Sequence, residues 1–235
     1  MSEYLELTIE RVQNKNIAFE VKKMINLGRT SRDPEDIIKH LEELKAEGIT
    51  VSSDIPSYNP KIKDRITTEN IIQVLPNSKT SGEVEYVLLF TSDNYFYITV
   101  GSDHTDRELE KHNVILSKQI CLNVISNKLW AYEDIKDHWD ELVMKAWVKE
   151  KGERKIYQEG KLASMLRPEE LIKKVRERVT GDLTGAVVFS GTFPIIGGKV
   201  NYGSYFEIEL IDENRGRSLK HSYTAEPIDW FISNK

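Results

Sequence analysis

Alternating apolar and polar residues along the chain predict a protein in which strands outnumber helices. Successive side chains of a strand point to opposite faces of a sheet, so an alternating run indicates a strand with at least one buried face. Residues 83–91 and 95–103 are two such runs on either side of the turn-forming residues 92–94, which predicts a β-hairpin. Residues 142–166 predict a second hairpin. Further strands are predicted at residues 4–12, 15–28, 185–193, 205–213 and 217–226.

Two segments have the apolar spacing and the end signals of amphipathic helices. Residues 31–49 begin with Asp33 as a candidate N-cap and Pro34 at the first helical position, and Gly48 follows the last turn. The predicted buried stripe of this helix is Ile37, Leu41 and Leu44. Residues 167–179 form the second helix, with inward-facing Leu171, Ile172, Val175 and Val179. A short helical piece is predicted at residues 132–141, and an irregular connection at residues 51–64.

The order of these elements predicts an α+β fold built round a large mixed sheet. Strands and helices do not alternate regularly, and no internal repeat is visible in the sequence. A chain of 235 residues is long enough for one large domain or two small ones. We divide it into residues 1–75, with the first strands and the first helix, and residues 76–235, with the main β core. We expect the two parts to form one continuous structural unit.

Composition excludes several classes of partner. The chain has 33 Lys and Arg residues against 38 Asp and Glu residues, a formal net charge of −5, and its basic residues form no block. Nucleic acid is therefore not an expected partner. No apolar run approaches the ~20 residues of a membrane span, and the N-terminus lacks an apolar signal-peptide core, so we expect a cytoplasmic protein without a membrane partner. The single cysteine, Cys121, excludes an intramolecular disulfide framework and is expected in the core.

Three carboxylates are predicted to meet at one end of the first hairpin. Glu83 and Glu85 are two residues apart, so their side chains point to the same face of the strand, that of Val87 and Leu89. If residues 92–94 form a three-residue loop, Glu83 lies opposite Asp103, whereas a two-residue loop would turn Asp103 to the other face. Opposed carboxylates are destabilising unless a cation joins them, and carboxylate oxygens suit Mg²⁺ or Mn²⁺. The alternative interpretation is an exposed strand end at which all three face water.

At this point the sequence resembles the fumarylacetoacetate hydrolase family, which includes acylpyruvate hydrolases and oxaloacetate decarboxylases. The family pattern is a strand with E-x-E, a second strand that ends in D-x-x-x-R, and then a lysine. Here the matching residues are Glu83, Glu85, Asp103, Arg107 and Lys118, in the same order. Residues 187–198 are similar to the family's later strand and turn, with Thr192 at its threonine position. Residues 26–44 are similar to its lid segment, with His40 and Glu43 as H-x-x-E. Within the superfamily, residues 81–90, 101–110 and 138–142 are most similar to a branch of unknown function.

The resemblance implies a β-sheet roll or sandwich with a few peripheral helices, a homodimer, and a metal-dependent enzyme acting on a small 2-oxo acid. The implied metal ligands are Glu83, Glu85 and Asp103, with Mg²⁺ or Mn²⁺ as the cation. Arg107 and Thr192 are implied to bind substrate, and Lys118 to act as a point charge or a proton donor. His40, oriented by Glu43, is the implied general base on a helix that closes over the site.

The expected reaction is hydrolysis of a C–C bond in an acylpyruvate-like acid, through an enolate that the cation stabilises. Decarboxylation, hydration and tautomerisation use the same kind of site and remain alternatives, as does a non-catalytic protein that binds a metabolite through the metal. The family's S-A-R-D is replaced here by residues 104–108, and extra residues separate Arg29 from His40. The resemblance therefore does not identify the substrate. His104 is interpreted as a structural histidine or as support for Asp103, and His138 and Asp140 are assigned no role.

Overall fold

Extended backbone dominates the computed structural model, which describes residues 4–11, 13–35, 37–38, 41–42 and 54–230. The first eight strands of the described part are β1 Tyr4–Ile9, β2 Lys15–Glu20, β3 Lys23–Gly28, β4 Ser57–Lys61, β5 Ile66–Thr67, β6 Ile71–Val74, β7 Thr80–Ser81 and β8 Val84–Ser92. The remaining nine are β9 Tyr95–Ser102, β10 Thr105–Asp106, β11 Asn123–Ile125, β12 Lys128–Ala131, β13 Val143–Glu150, β14 Glu153–Lys161, β15 Ala186–Phe189, β16 Tyr205–Asp212 and β17 Arg217–Pro227.

The described strands form two main sheets. The larger has the order β2-β1-β12-β9-β8-β15-β3-β4, and β11 joins it by pairing with β9 and β5. Its β1–β12 and β3–β15 pairs are parallel, whereas β8 is antiparallel to both of its neighbours, so the sheet is mixed. The second sheet has the order β14-β13-β16-β17-β6, and the short strands β7 and β10 pair separately.

Apolar side chains on the two faces of the larger sheet pack into two cores. Val84, Tyr86, Leu88 and Phe90 of β8 belong to the larger core, which also contains residues of the second sheet such as Met144 and Phe206. Val87 and Leu89 point the other way, into a smaller core with Phe189. Because β8 is buried on both faces, a carboxylate at its end is held in a fixed position and away from bulk water.

Short helices lie at the periphery of the sheets. The α-helices with complete bounds are Arg107–Glu110, Val114–Ile120 and Pro168–Arg176. Residues 34–35, 37–38 and 41–42 are also helical, and Asp33 accepts a hydrogen bond from the Glu35 amide, as an N-cap does. Short 3₁₀ helices are Tyr132–Asp134, Lys136–Glu141, Leu162–Ser164, Ile196–Gly198 and Glu213–Arg215.

The α+β prediction is confirmed, two of the local predictions are corrected, and two helices were not predicted. Residues 51–64 were predicted to be irregular but contain β4. β4 lies at the edge of the sheet, where Pro60 is tolerated because no second neighbouring strand needs its missing backbone N–H. Residues 15–28 form two strands rather than one, because β2 pairs with β1 whereas β3 pairs with β15 and β4. The 107–110 and 114–120 helices were not predicted, although Asp106 and Asn113 cap them through side-chain hydrogen bonds.

Among the described helices, none is long and apolar enough to cross a membrane.

Candidate metal centre

The hairpin register places Glu83 opposite Asp103, and the backbone amide of Asp103 donates to the Glu83 carbonyl at 3.0 Å. The turn that produces this register differs from the predicted one. Only residues 93 and 94 separate the strands, and a register shift between Phe90 and Ser92 supplies the extra residue. The predicted pairing is therefore present, produced by a two-residue turn with an irregularity before it.

The three predicted carboxylates converge. Glu83, Glu85 and Asp103 each offer an oxygen such that the three oxygens all lie within 4.8 Å of one another. Glu85 and Asp103 are 1% exposed, so little water is available to screen the repulsion between these groups. The oxygens are hard donors without sulfur or imidazole, which is the ligand chemistry of Mg²⁺ and Mn²⁺. The residues present therefore fit such a cation.

Burial and repulsion affect the protonation of the three groups differently. Burial, Asp103 and Glu83 together raise the pKa of Glu85 well above its ordinary value, against the opposing effects of Lys118 and the Gly191 amide. For Glu83 and Asp103, burial also raises the pKa, but neighbouring cations outweigh it and the pKa of each is lowered. The cluster therefore has two firmly ionised carboxylates and one that tends to hold a proton.

Lys118 and Arg107 supply the cations on the Glu83 side of the cluster. Lys118 Nζ lies 2.5 Å from Asp103 Oδ2 and 3.5 Å from Glu83 Oε2. Arg107 contacts Glu83 Oε1 at 3.0 Å, Glu110 Oε2 at 2.8 Å and Ser81 Oγ at 2.6 Å. Both side chains are 10% exposed, so neither cation is a solvated surface group. Burial lowers the pKa of Lys118, but Asp103 and Glu83 outweigh it and raise the pKa, so Lys118 stays an ammonium ion.

The segment that directly follows β15 holds Glu85 in place. The Gly191 amide donates to Glu85 Oε2 at 2.7 Å. Gly191 has a φ of +85°, and a Cβ at this position would lie 2.7 Å from Thr30 Oγ1, so glycine is required on both counts. The Thr192 hydroxyl donates to the Val84 carbonyl at 2.6 Å and accepts from Gln158 Nε2 at 2.8 Å. Thr192 therefore anchors the start of β8 in this structure, and its substrate-binding role stays a prediction.

The predicted base lies outside the described residues, since these include neither His40 nor Glu43. Residues 30–32, which precede them in the sequence, have fixed partners. Thr30 Oγ1 donates to the Ser190 carbonyl at 2.6 Å, and the Arg32 guanidinium binds both carboxylate oxygens of Asp140 at 2.7 and 3.1 Å. Thr30 is thus fixed beside Gly191, which lies just after β15, and Arg32 is fixed at Asp140.

The other histidines singled out from the sequence have structural partners. His104 is fully buried, and its Nδ1 lies 2.9 Å from the Tyr223 hydroxyl. Burial lowers its pKa to about 3, with Arg107 and Lys61 contributing in the same direction, so the ring is neutral. His138 Nε2 lies 3.0 Å from Asp212 Oδ1.

A third buried cation and two amides were not predicted. Lys61 Nζ lies 3.7 Å from Asp103 Oδ1 and donates to Asn123 Oδ1 at 2.5 Å, and Asn123 Nδ2 donates to Asn26 Oδ1 at 3.2 Å. Burial lowers the pKa of Lys61 to about 8, against the opposing effect of Asp103. Asn26 and Asn123 are single polar residues inside apolar runs, a sequence pattern that indicates buried polar side chains. Lys61 follows Pro60 in a segment without periodicity and offered no such signal.

The fold is similar to that of several solved structures. Fumarylpyruvate hydrolase from Pseudomonas aeruginosa, in complex with Mn²⁺ and pyruvate, has a TM-score of 0.62 at 15% identity, covering 97% of this chain and 98% of that one. The 2-keto-3-deoxy-D-arabinonate dehydratase complexed with magnesium and 2,5-dioxopentanoate has a TM-score of 0.61 at 16% identity, covering 91% and 76%. A Yersinia pestis CO92 protein described as a fumarylacetoacetate hydrolase family member gives 0.62 at 19%, covering 89% and 95%. The chain therefore has the fumarylacetoacetate hydrolase type of α+β fold.

Within that fold class the sequence itself identifies a narrower group. Residues 27–223 match the family described as a protein of unknown function, DUF2848, and the chain belongs to this family. No curated protein matches the chain by sequence. The family assignment thus confirms the predicted similarity to a branch of unknown function.

Proposed function

We propose that the protein is a divalent-metal-dependent enzyme that hydrolyses a C–C bond in a small 2-oxo or 1,3-dicarbonyl acid of the acylpyruvate type. The observation that carries the proposal is the convergence of Glu83, Glu85 and Asp103 at the end of a strand buried on both faces, next to two buried cationic side chains. A carboxylate cluster without such neighbours is common on protein surfaces. One that is buried and bordered by cations can hold both a metal and an acidic substrate.

Proteins that share the fold support this choice of chemistry. Two of them are complexes with a divalent cation and a small oxo acid or oxo compound, which is pyruvate in one and 2,5-dioxopentanoate in the other. At 15% and 16% sequence identity, these structures support a class of ligand and not a particular substrate.

We propose that Glu83, Glu85 and Asp103 hold Mg²⁺ or Mn²⁺. When bound, such a cation acts as a Lewis acid on the substrate's oxygens and stabilises the negative charge that develops as the C–C bond breaks. The protein's own contribution is to fix the ligands. The Gly191 amide orients Glu85, the hairpin register fixes Asp103 against Glu83, and Arg107 holds Glu83.

Lys118 and Arg107 would act on the substrate as cations. Lys118 carries an ammonium that donates to Asp103 and Glu83 and has a third N–H left for a developing oxyanion. Its raised pKa makes it a donor rather than a base. Arg107 has five N–H donors: two donate hydrogen bonds to Glu110 and Ser81, and its Nη2 forms an ion pair with Glu83. We propose that the remaining donors bind the substrate carboxylate.

His40 is the proposed general base, with Glu43 orienting its ring. A hydrolase needs a group that takes a proton from water, and the described part of the site contains no neutral histidine facing the carboxylates except the fully buried His104 beside Asp103. The anchored Arg32 precedes His40 by eight residues in the sequence. This proximity along the chain supports the assignment.

Turnover of an acylpyruvate panel tests the proposal. We expect the wild-type protein with Mg²⁺ or Mn²⁺ to release pyruvate from at least one acylpyruvate, and EDTA or Glu85→Gln to abolish the release. Lys145→Met is the matched control, because it removes a lysine paired with Glu159 in the second sheet, away from the carboxylates. Oxaloacetate and a 2-keto-3-deoxy acid are assayed in parallel. Turnover of these alone would replace hydrolysis by decarboxylation or dehydration, and cation-dependent binding without turnover would indicate a binding protein.

A further inference from the structure

Lys61 is a buried lysine whose position beside the metal ligands needs an explanation. It is the last residue of β4, and its side chain is 0% exposed. An ammonium group removed from water is costly unless it is paired and hydrogen-bonded. Its partners are Asn123 Oδ1 at 2.5 Å and Asp103 Oδ1 at 3.7 Å, so the lysine is directed at one oxygen of a proposed metal ligand.

The two oxygens of Asp103 face different cations. Oδ2 lies 2.5 Å from Lys118 Nζ, which also reaches Glu83 Oε2 at 3.5 Å, so Oδ2 is on the Glu83 side of the carboxylate. Oδ1 faces Lys61 at 3.7 Å, and the Asn26 side chain also hydrogen-bonds to the Asp103 carboxylate. The carboxylate is therefore held between two ammonium groups in one orientation. An aspartate held in this way has one oxygen directed at the other ligands.

We propose that Lys61 is a positioning residue that restricts Asp103 to a single coordinating oxygen and thereby sets the preference of the site for Mg²⁺ or Mn²⁺ over Ca²⁺. The proposal rests on the metal centre of the proposed function. Mg²⁺ requires six ligands in near-ideal octahedral geometry, whereas Ca²⁺ takes six to eight and readily accepts both oxygens of one carboxylate. Holding back Oδ1 removes the coordination mode that Ca²⁺ uses and leaves the one that suits Mg²⁺.

The ratio of the two affinities separates this role from a simple effect of charge. Removing the Lys61 ammonium takes one positive charge away from any divalent cation, which strengthens the binding of Mg²⁺ and Ca²⁺ by similar amounts. That contribution cancels in the ratio of the two dissociation constants. Release of Asp103 Oδ1 does not cancel, because it adds a ligand for Ca²⁺ and loosens the geometry for Mg²⁺.

The experiment is calorimetric titration of metal-free protein with Mg²⁺ and with Ca²⁺, in the wild type, Lys61→Met and the control Lys145→Met. We expect Lys61→Met to shift the affinity ratio toward Ca²⁺ by about 10-fold or more, the scale on which groups behind the ligands affect metal binding. Lys145→Met should leave the ratio unchanged, since Lys145 pairs with Glu159 in the second sheet. Each ratio is measured within one variant and does not depend on the fraction of protein that folds.

A second measurement needs no variant. In crystals of the wild type soaked with Mn²⁺, Asp103 should bind the ion through Oδ2 alone while Oδ1 stays against Lys61. An unchanged ratio in Lys61→Met, or an Asp103 that binds Mn²⁺ through both oxygens, would overturn the role of Lys61 and leave the metal centre in place. Absence of any cation binding by the wild type would overturn both.

Discussion

Glu85→Gln should stabilise the metal-free protein, and by an amount that grows with pH. The substitution keeps the size of the side chain and an oxygen that can accept the Gly191 N–H, which lies 2.7 Å from the carboxylate. It removes the charge that burial and the neighbouring Asp103 and Glu83 disfavour. The folded state therefore loses an unfavourable ionisation and retains its hydrogen bond.

The size of the effect follows from proton linkage. The pKa of Glu85 is raised in the folded state above its ordinary value of 4.5, so between these two values the folded protein holds a proton that the unfolded chain has lost. Each pH unit in this interval lowers the stability of the wild type by about 1.4 kcal/mol relative to the variant. The difference between variant and wild type therefore grows with pH throughout the interval between the ordinary pKa and the raised folded-state pKa.

Urea unfolding in EDTA over a series of pH values measures this difference. Glu83→Gln is the matched comparison, because Glu83 is on the same strand but its pKa is lowered: burial raises it, and Arg107 and Lys118 outweigh burial. The stability contributed by ionised Glu83 is present above pH 4.5 and is lost as the pH falls through its lower folded-state pKa. Glu83→Gln should therefore be destabilising near neutral pH and less so in acid. If both variants change stability with the same sign and slope, the electrostatic account of the cluster is wrong.

Three further predictions concern the surroundings of the cluster. Arg107→Lys should raise KM more than it lowers kcat, because an ammonium cannot reproduce a two-pronged carboxylate contact, and wild-type kinetics would return Arg107 to a structural role. His40→Ala should lower kcat by ~10²–10⁴-fold and leave Mg²⁺ binding intact, so near-normal turnover would exclude the hydrolase mechanism with this base. Gly191→Ala should lower stability by about 1–3 kcal/mol and weaken Mg²⁺ binding, because φ is +85° and the new Cβ would meet Thr30 Oγ1 at 2.7 Å. Thermal unfolding and calorimetric Mg²⁺ titration test the Gly191→Ala prediction. An unchanged Tm and an unchanged Mg²⁺ affinity would show that the Gly191 amide is not needed to orient Glu85.

The carboxylate cluster could be predicted because it depends on local rules. The alternation of side chains fixes Glu83 and Glu85 on one face of β8, and a hairpin register relates them to Asp103. Even so, the loop was predicted with the wrong length, and the register shift after Phe90 compensated for it. Irregularities of this kind are set by packing and twist, which the sequence pattern of one hairpin does not specify.

Lys61 could not be predicted because it reaches the site through tertiary pairing. β4 pairs with β3 at the edge of the larger sheet, and nothing in residues 57–61 alternates. The 114–120 helix is a similar case, since its apolar residues do not follow a clear helical stripe and its start depends on the Asn113 cap. The burial of Lys118 on this helix, which makes it part of the site, follows from contacts with Asp103 and Glu83.

The central claim is that Glu83, Glu85 and Asp103 together hold a divalent cation on which a small oxo acid binds. Crystals grown with Mn²⁺ and oxalate, which resembles the enolate of pyruvate, test this claim most directly, because anomalous scattering locates the Mn²⁺ ion. We predict one strong anomalous peak coordinated by these three carboxylates, with oxalate bound to the same ion and within reach of Lys118 and Arg107. A cluster without an anomalous peak, or oxalate bound away from it, would contradict the account.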